Sequence, residues 1–297
     1  MPALVVDIRR NSLDDGPGIR STVFFKGCVL DCVWCQNPET LSVKAELQYN
    51  PQSCVACGDC AAACPSGALT FDGQREYDRE RCLLDGVCVD TCPAGAVRFV
   101  GTEYQPEELV ARLMRDEPFY RNSGGGVTFS GGEPTIHLEF VATVAEALQA
   151  RGVHTLLQTC GLYPADRVEA RLLPHLDQIY FDTKIADPER HRQYCGVDNR
   201  VILSNLARLA ATDRERVLPR VPLIPTITDT DDNLAGIATI LRDLGFDRVA
   251  LLAYNPLWIQ KRAELGLPFR YRHEQFMSAD EIARCRAVMT DHGLEVV

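Results

Sequence analysis

Nowhere in the 297 residues does an uninterrupted apolar run reach the roughly 20 residues that cross a bilayer. Integral membrane helices are therefore not expected. The first ten residues hold only a short apolar segment, Ala3-Leu4-Val5-Val6, before charge begins. The long apolar stretch and cleavage site of a secretory leader are missing there, so the expected location is cytoplasmic, with no membrane contact. Basic excess is missing as well. The formal net charge is -10, so nothing in the bulk charge would neutralise a phosphate backbone, and no nucleic-acid partner is expected. What remains is an ordinary soluble composition, 46% hydrophobic and 24% charged, long enough for one large domain or two medium ones.

Cysteine is the residue in surplus. Ten of the thirteen fall in three tight groups: Cys28, Cys32 and Cys35; Cys54, Cys57, Cys60 and Cys64; Cys82, Cys88 and Cys92. Disulfide frameworks belong to small secreted chains, so clustered cysteines in a chain of this kind read as metal ligands. Cys160, Cys195 and Cys285 stand alone, and the default for each is a small buried hydrophobe.

The first group has the spacing C-x3-C-x2-C, with Trp34 before the last cysteine. Three thiolates so close together suit three corners of a four-iron, four-sulfur (4Fe-4S) cluster and leave the fourth iron without a protein ligand. Iron–sulfur clusters ordinarily take four cysteines, so an open iron is a place for chemistry. A structural zinc site would be closed by four ligands. The triplet resembles the signature of the radical S-adenosylmethionine enzymes. It follows Ser21-Thr22-Val23-Phe24-Phe25, which reads as a buried strand; the loop after a strand's C-terminal end is the usual active-site edge of an α/β barrel.

Residues 50–100 differ from the rest. They contain seven cysteines and no long amphipathic pattern, and they read as an inserted domain between 1–49 and 101–297. The insert repeats itself. Cys54-x2-Cys57-x2-Cys60-x3-Cys64-Pro65 is answered by Cys82-x2-Asp85-x2-Cys88-x3-Cys92-Pro93. The first half is the bacterial ferredoxin run, in which the fourth cysteine serves the other cluster of a pair. The expected sets are Cys54, Cys57, Cys60 and Cys92 for one cluster, and Cys64, Cys82 and Cys88 for the other. Asp85 stands where a fourth thiolate would be. A carboxylate is harder than thiolate and holds iron less firmly. Ligation by Asp85, a 3Fe-4S cluster and a water-capped iron are all open, as is a plain turn at Leu84-Asp85-Gly86.

From residue 105 onward helical and strand patterns alternate. Helices are expected over Pro106–Arg121, Leu138–Ala150, Ala165–Leu173, 188–194, 199–211, Asn233–Leu244 and 278–292. Strands are expected over Gly126–Ser130, Val153–Gln158, Gln178–Lys184, Val217–Ile224 and Arg248–Tyr254. Such alternation implies a parallel sheet. About six units point to a partial (β/α)6 barrel rather than the closed eight-unit form. Residues 255–277 have no clear period and read as a loop that meets a partner.

Several strand ends carry polar groups. Gly131-Gly132-Glu133 follows one strand, with glycines that permit close backbone approach to a ligand and an acid that suits an ammonium. Thr159 ends another. Asp182 and Lys184, two apart, share a face of a third strand, and Arg220 lies in a fourth, where its fork suits a carboxylate. Each has a bland alternative: a loop, a strand-end ion pair, a surface arginine.

Taken together, the chain resembles the activating enzymes of glycyl radical enzymes over nearly its whole length. The resemblance rests on Asp15-Gly-Pro-Gly-Ile-Arg20, Phe24-Phe-Lys-Gly-Cys28, the triplet, Trp34-Cys-Gln-Asn-Pro-Glu39, the insert, Gly124-Gly-Gly-Val-Thr-Phe-Ser-Gly-Gly-Glu-Pro134, Gln158-Thr-Cys-Gly161 and Asp182-Thr-Lys184. It implies an oxidoreductase like the formate C-acetyltransferase activating enzyme. S-adenosylmethionine chelates the open iron of the Cys28/Cys32/Cys35 cluster and is cleaved by one electron to methionine and a 5′-deoxyadenosyl radical. That radical takes a hydrogen from a glycine Cα of the partner enzyme. It further implies that Trp34, Gly131, Gly132 and Glu133 help hold the cofactor, Glu133 at its amino group. Asp182, Lys184 and Arg220 would meet the methionyl end, and Thr159 a monovalent cation or the carboxylate. Two auxiliary 4Fe-4S clusters in the insert would relay electrons from a flavodoxin- or ferredoxin-type reductant or shape the partner-binding face. Gln158 stands where an acid is common in the family, and Asn255 where many members have histidine. Two rival readings keep parts of this: radical chemistry on a small molecule or peptide, and an electron carrier using residues 50–100 alone.

Overall fold

The computed structural model describes residues 2–297. Strands β1 (Ala3–Ser12) and β2 (Arg20–Phe25) begin the chain as an antiparallel pair. All six positions of β2 are buried, as befits a central strand covered on both faces. After the cysteine loop come β3 (Glu46–Tyr49), helix α1 (Asp59–Ala62), β4 (Leu69–Phe71), β5 (Arg75–Tyr77), α2 (Val87–Asp90), β6 (Val97–Val100) and β7 (Thr102–Tyr104). The rest is regular alternation: α3 (Pro106–Leu113), α4 (Glu117–Ser123), β8 (Gly126–Gly131), α5 (Leu138–Gln149), β9 (His154–Thr159), α6 (Ala165–Arg171), β10 (Gln178–Asp182), α7 (Pro188–Cys195), α8 (Arg200–Thr212), β11 (Val217–Pro222), α9 (Asp231–Asp243), β12 (Arg248–Leu252), α10 (Trp258–Glu264), α11 (Ala279–Asp291) and β13 (Glu295–Val296).

One nine-stranded sheet runs β13-β12-β11-β10-β9-β8-β2-β1-β7. From β2 to β13 every neighbouring pair is parallel. The order advances without reversing, as in a β/α barrel and unlike a doubly wound sheet. β7 and β13 end the sheet and do not pair with each other. Because the strands are parallel, the loops after β2, β8, β9, β10, β11 and β12 gather along one edge.

Local chemistry sets the boundaries. In α5, Leu138, Val141, Ala142, Ala145 and Leu148 are buried at helical spacing against the sheet. Asp187 caps α7, accepting from the Arg190 N–H at 2.7 Å, with Pro188 in the first turn. Ser278 and Glu281 form a reciprocal capping box at the start of α11. The single helix expected over Pro106–Arg121 is broken by a 3-10 turn at Met114–Asp116. Pro118 has no N–H to give and fits only a first turn, so a new helix starts at Glu117. The expected loop 255–277 contains α10, held by the fully buried Trp258.

Residues of the insert make their own small sheets, β3 with β6 and β4 with β5, both antiparallel. They also bury a separate apolar cluster, Leu47, Leu69, Cys88 and Val97. The sequence repeat has a backbone counterpart. Ala56 and Leu84 share a left-handed φ of 58° and 53°, and each is followed by a left-handed glycine, Gly58 or Gly86, and a four-residue helix. No helix among the described residues is long and apolar enough to cross a membrane.

Candidate active site

The loops on that edge enclose a cavity of about 480 Å³. Its lining contains Cys28, Cys32, Cys35 and Trp34 from the loop after β2, Gly131 at the end of β8 and Gly132 just after it, Thr159 from β9, Asp182 at the end of β10 and Lys184 just beyond it, and Arg220 from β11. The structure therefore brings together every predicted contact of this site except Glu133.

The cysteine loop is held from outside as well as from β2. Asp31 and Val33 donate backbone N–H groups to the carbonyls of Cys195 and Tyr194 at the end of α7, at 2.9 and 3.0 Å. The neighbouring Cys195 thiol, together with burial, raises the Cys32 thiol well above its ordinary value. Cys195 is thus more than a core filler. Burial pushes Cys28 up to about 12 and raises Cys35 further. All three thiols stay protonated without metal, so loading a cluster releases protons. The Leu30 N–H points at Cys28 Sγ, 3.4 Å away, a donor of the kind that surrounds cluster sulfurs.

Glu133 faces the other way. Its carboxylate is fully buried and accepts from Thr135 N at 3.2 Å, Thr135 Oγ1 at 2.7 Å, Thr159 Oγ1 at 2.9 Å and Cys160 N at 2.8 Å. A buried carboxylate needs such donors. The side chain expected to face an ammonium instead ties the end of β8 to the end of β9. The Thr159 hydroxyl is engaged on both sides, since it also accepts from Gly161 N at 3.0 Å. What the turn offers the cavity is the backbone of Gly131 and Gly132. A side chain on Gly132 would meet the Gly27 carbonyl at 2.0 Å, so the turn lies directly against the start of the cysteine loop.

Asp182, Lys184 and Arg220 form one ion group. Arg220 Nε and Nη2 reach Asp182 Oδ1 at 3.0 and 2.9 Å, and Lys184 Nζ reaches Oδ2 at 2.9 Å. β10 ends at Asp182, so alternation within the strand does not extend to Lys184. Pairing with β11 nevertheless continues through Thr183 N to the Arg220 carbonyl at 2.8 Å. Burial would raise the Asp182 carboxyl, but the two cations outweigh it and hold it below its ordinary value. The group carries one positive charge in excess, suited to a carboxylate.

Sequence reasoning missed the far wall. Asn255, Leu257, Trp258 and Lys261 line the cavity. Lys261 Nζ donates to the Gln36 carbonyl at 3.3 Å, Asn37 Oδ1 at 3.2 Å and Glu39 Oε1 at 2.7 Å, fastening α10 to the cysteine loop. The aromatic and basic composition of residues 255–277 was the only signal for it.

Two small cavities lie in the insert. Cys54, Cys57, Cys60 and Cys92 line one, and Cys64, Cys82, Asp85 and Cys88 line the other. Backbone N–H groups point at the sulfurs here too: Ala56 to Cys54 and Leu84 to Cys82, both at 3.4 Å, and Ala96 to Cys92 at 3.2 Å. Asp85 is exposed and accepts from Val87 N at 3.0 Å. Among the described residues no three Cys, His, Asp or Glu side chains stand close enough for one ion. Thiolates that each serve a different iron of a cluster stand further apart, so this spread and the mainly sulfur donor sets fit clusters better than single metals.

The sequence profile of the radical SAM superfamily matches residues 22–238. The indoleacetate decarboxylase activating enzyme of Tractidigestivibacter scatoligenes is 33% identical, over 100% of this chain and 97% of the relative. The trans-4-hydroxy-L-proline dehydratase activating enzyme of Clostridioides difficile is 39% identical, over 86% and 85%. A radical SAM methyltransferase from Sphaerobacter thermophilus shares the fold at a TM-score of 0.56 and 16% identity, over 99% of this chain and 76% of that one. The chain belongs to the radical SAM superfamily, in its branch of glycyl radical enzyme activating enzymes.

Proposed function

We propose that this chain is the activase of a glycyl radical enzyme, built as a partial (β/α)6 barrel with a ferredoxin-like insert at 50–100. The observation that carries the reading is the convergence of the three cysteines with the Asp182–Lys184–Arg220 group in one cavity. Cys28, Cys32 and Cys35 would hold a 4Fe-4S cluster. When bound, that cluster supplies the electron that cleaves S-adenosylmethionine, and the resulting 5′-deoxyadenosyl radical takes hydrogen from the partner's glycine Cα. The chain's own work is to bind, orient and exclude water. Arg220 and Lys184 receive the methionyl carboxylate, and Asp182 keeps both aimed. The Gly131–Gly132 backbone receives the methionyl amine, with Glu133 bracing the turn from behind. Trp34 closes the wall beside Cys35. A monovalent cation at Thr159 would have to compete with Glu133 and Gly161 for the hydroxyl.

In the insert, Cys54, Cys57, Cys60 and Cys92 would hold one auxiliary cluster, and Cys64, Cys82 and Cys88 the other, with Asp85 lining the same cavity as a candidate fourth ligand. The two sets of cavity-lining residues support this exchange of fourth ligands. A flavodoxin- or ferredoxin-type protein would deliver the electrons. The test is anoxic incubation of iron-loaded protein, reductant and S-adenosylmethionine with candidate glycyl radical enzymes. A protein-based glycyl doublet in the electron paramagnetic resonance spectrum is expected. Deoxyadenosine formed without any protein partner, together with turnover of a small molecule, would overturn the assignment of the substrate.

A further inference from the structure

We propose that Arg75 is a positioning residue for the auxiliary centre held by Cys54, Cys57, Cys60 and Cys92, donating its buried guanidinium N–H groups to the sulfurs of that centre and raising its reduction potential. The inference rests on the two-cluster reading of the insert.

Arg75 opens β5 and lines the cavity of those four cysteines. Its Nε and Nη2 are buried and have no hydrogen-bond partner in the protein. Buried donors are almost always paired, and a charged one left bare is costly. Nearby acidic charge is already taken: Glu46 pairs with Lys26 at 2.7 Å and Arg79 at 3.0 Å, and among the described residues no carboxylate pairs with Arg75. The guanidinium is clamped between two rings, 4.4 Å from the Tyr49 centroid and 5.3 Å from that of Tyr77. Each tyrosine stands five residues before the first cysteine of one repeat, Tyr49 before Cys54 and Tyr77 before Cys82, and each cysteine helps to raise its tyrosine's hydroxyl above the ordinary value. A fixed cation with unused donors therefore stands in a cavity whose other polar side chains are the four cysteines and Tyr49. Reduction adds negative charge to a cluster. Donors and positive charge beside the sulfurs favour the reduced form. The other cavity has no arginine in its lining and has Asp85 in place of a thiolate; the Arg75 charge also reaches its Cys88, so that centre would respond as well, but without the direct donors.

The test uses full-length protein with Cys28, Cys32 and Cys35 replaced by alanine, so that only the auxiliary centres titrate. Arg75→Gln is compared with this parent by potentiometry followed with electron paramagnetic resonance. At a fixed potential the reduced-to-oxidised ratio of one centre is expected to fall tenfold or more, about 59 mV for one electron, while the other moves less. A second measurement does not depend on the variant folding. In the reduced parent, labelling the arginine guanidinium with nitrogen-15 should give a pulsed-resonance coupling to one centre. Loaded clusters with unchanged midpoints, or no nitrogen coupling, overturn the proposal and leave the two-cluster reading standing. A parent that binds no iron overturns both.

Discussion

Two nitrogens of Arg220 hold one oxygen of Asp182, at 3.0 and 2.9 Å, and leave its other oxygen to Lys184. The acid keeps two cations side by side at the cavity wall, with Arg220 also lying over the Tyr180 ring at 5.0 Å. Asp182→Asn should free both to move apart and toward water. Breaking a buried pair from one side costs about 3 kcal/mol. The variant is expected to unfold earlier in denaturant by about that amount and to bind S-adenosylmethionine at least tenfold more weakly, measured by calorimetry on anoxic protein. Unchanged affinity would remove the trio from the binding site.

Gly132 is the tightest joint of the site. The Gly132→Ala methyl group would fall 2.0 Å from the Gly27 carbonyl and 2.9 Å from that of Thr40, both backbone atoms with little freedom to yield. The expected result is a displaced cysteine loop. Reductive cleavage should fall by more than a hundredfold, and the signal of the Cys28/Cys32/Cys35 cluster should change shape on adding S-adenosylmethionine far less than in the parent.

Glu133 makes an opposite forecast to that of a simple ligand. Its oxygens accept only, and Glu133→Gln puts an amide NH₂ against Cys160 N–H or the Thr135 donors. A buried donor left facing a donor costs about 1–3 kcal/mol. A lowered urea midpoint in the metal-free protein checks this. A stability equal to the parent, with weakened cofactor binding, would instead make the carboxylate a direct contact.

On the proposed three-cluster reading, replacing Cys28, Cys32 and Cys35 together should remove one of them. Iron and sulfide per chain would then fall by about a third, each proposed site taking a four-iron cluster or one close to it. Deoxyadenosine formation should vanish. Complete loss of iron would mean that the insert holds none.

Acid should loosen the fold through two histidines. Burial holds the imidazoles of His154 and His191 below their ordinary value, with the Arg20 charge adding to the effect at His154. The unfolded chain takes up these protons near pH 6.5 and the folded chain resists. Their contribution to stability is therefore present above that pH and shrinks as pH falls through it toward the folded values. Urea midpoints of metal-free protein at about pH 7.5 and about pH 5.5 should show the fall, and His154→Gln should flatten it.

What could be read from the sequence was whatever depends on spacing. Six parallel strands in succession follow from alternating periodicity, and the proposed partition of the insert's cysteines rests on a run whose fourth member crosses to its neighbour. The cavity lining matches both cysteine sets. What stayed hidden depends on direction. Glu133 carries the expected charge at the expected strand end, but Thr159 Oγ1 and Cys160 N on β9 and the following turn, with the two donors of Thr135, draw it inward, and periodicity says nothing of that. Lys261 lies 222 positions from its partner Glu39, beyond any local pattern. Arg75 is one arginine among many in the sequence. Its only trace was the tyrosine five residues ahead of Cys54 and of Cys82, a part of the repeat that the cysteines overshadow.

The unpaired rims of β7 and β13 have a consequence for access. A ring of strands sealed all round admits only what can be passed in end-on, which suits metabolites. A glycine within the chain of a folded partner is tethered fore and aft and cannot be threaded like a bead. A wall with a seam lets such a segment be laid in sideways and lifted out again with both tethers intact.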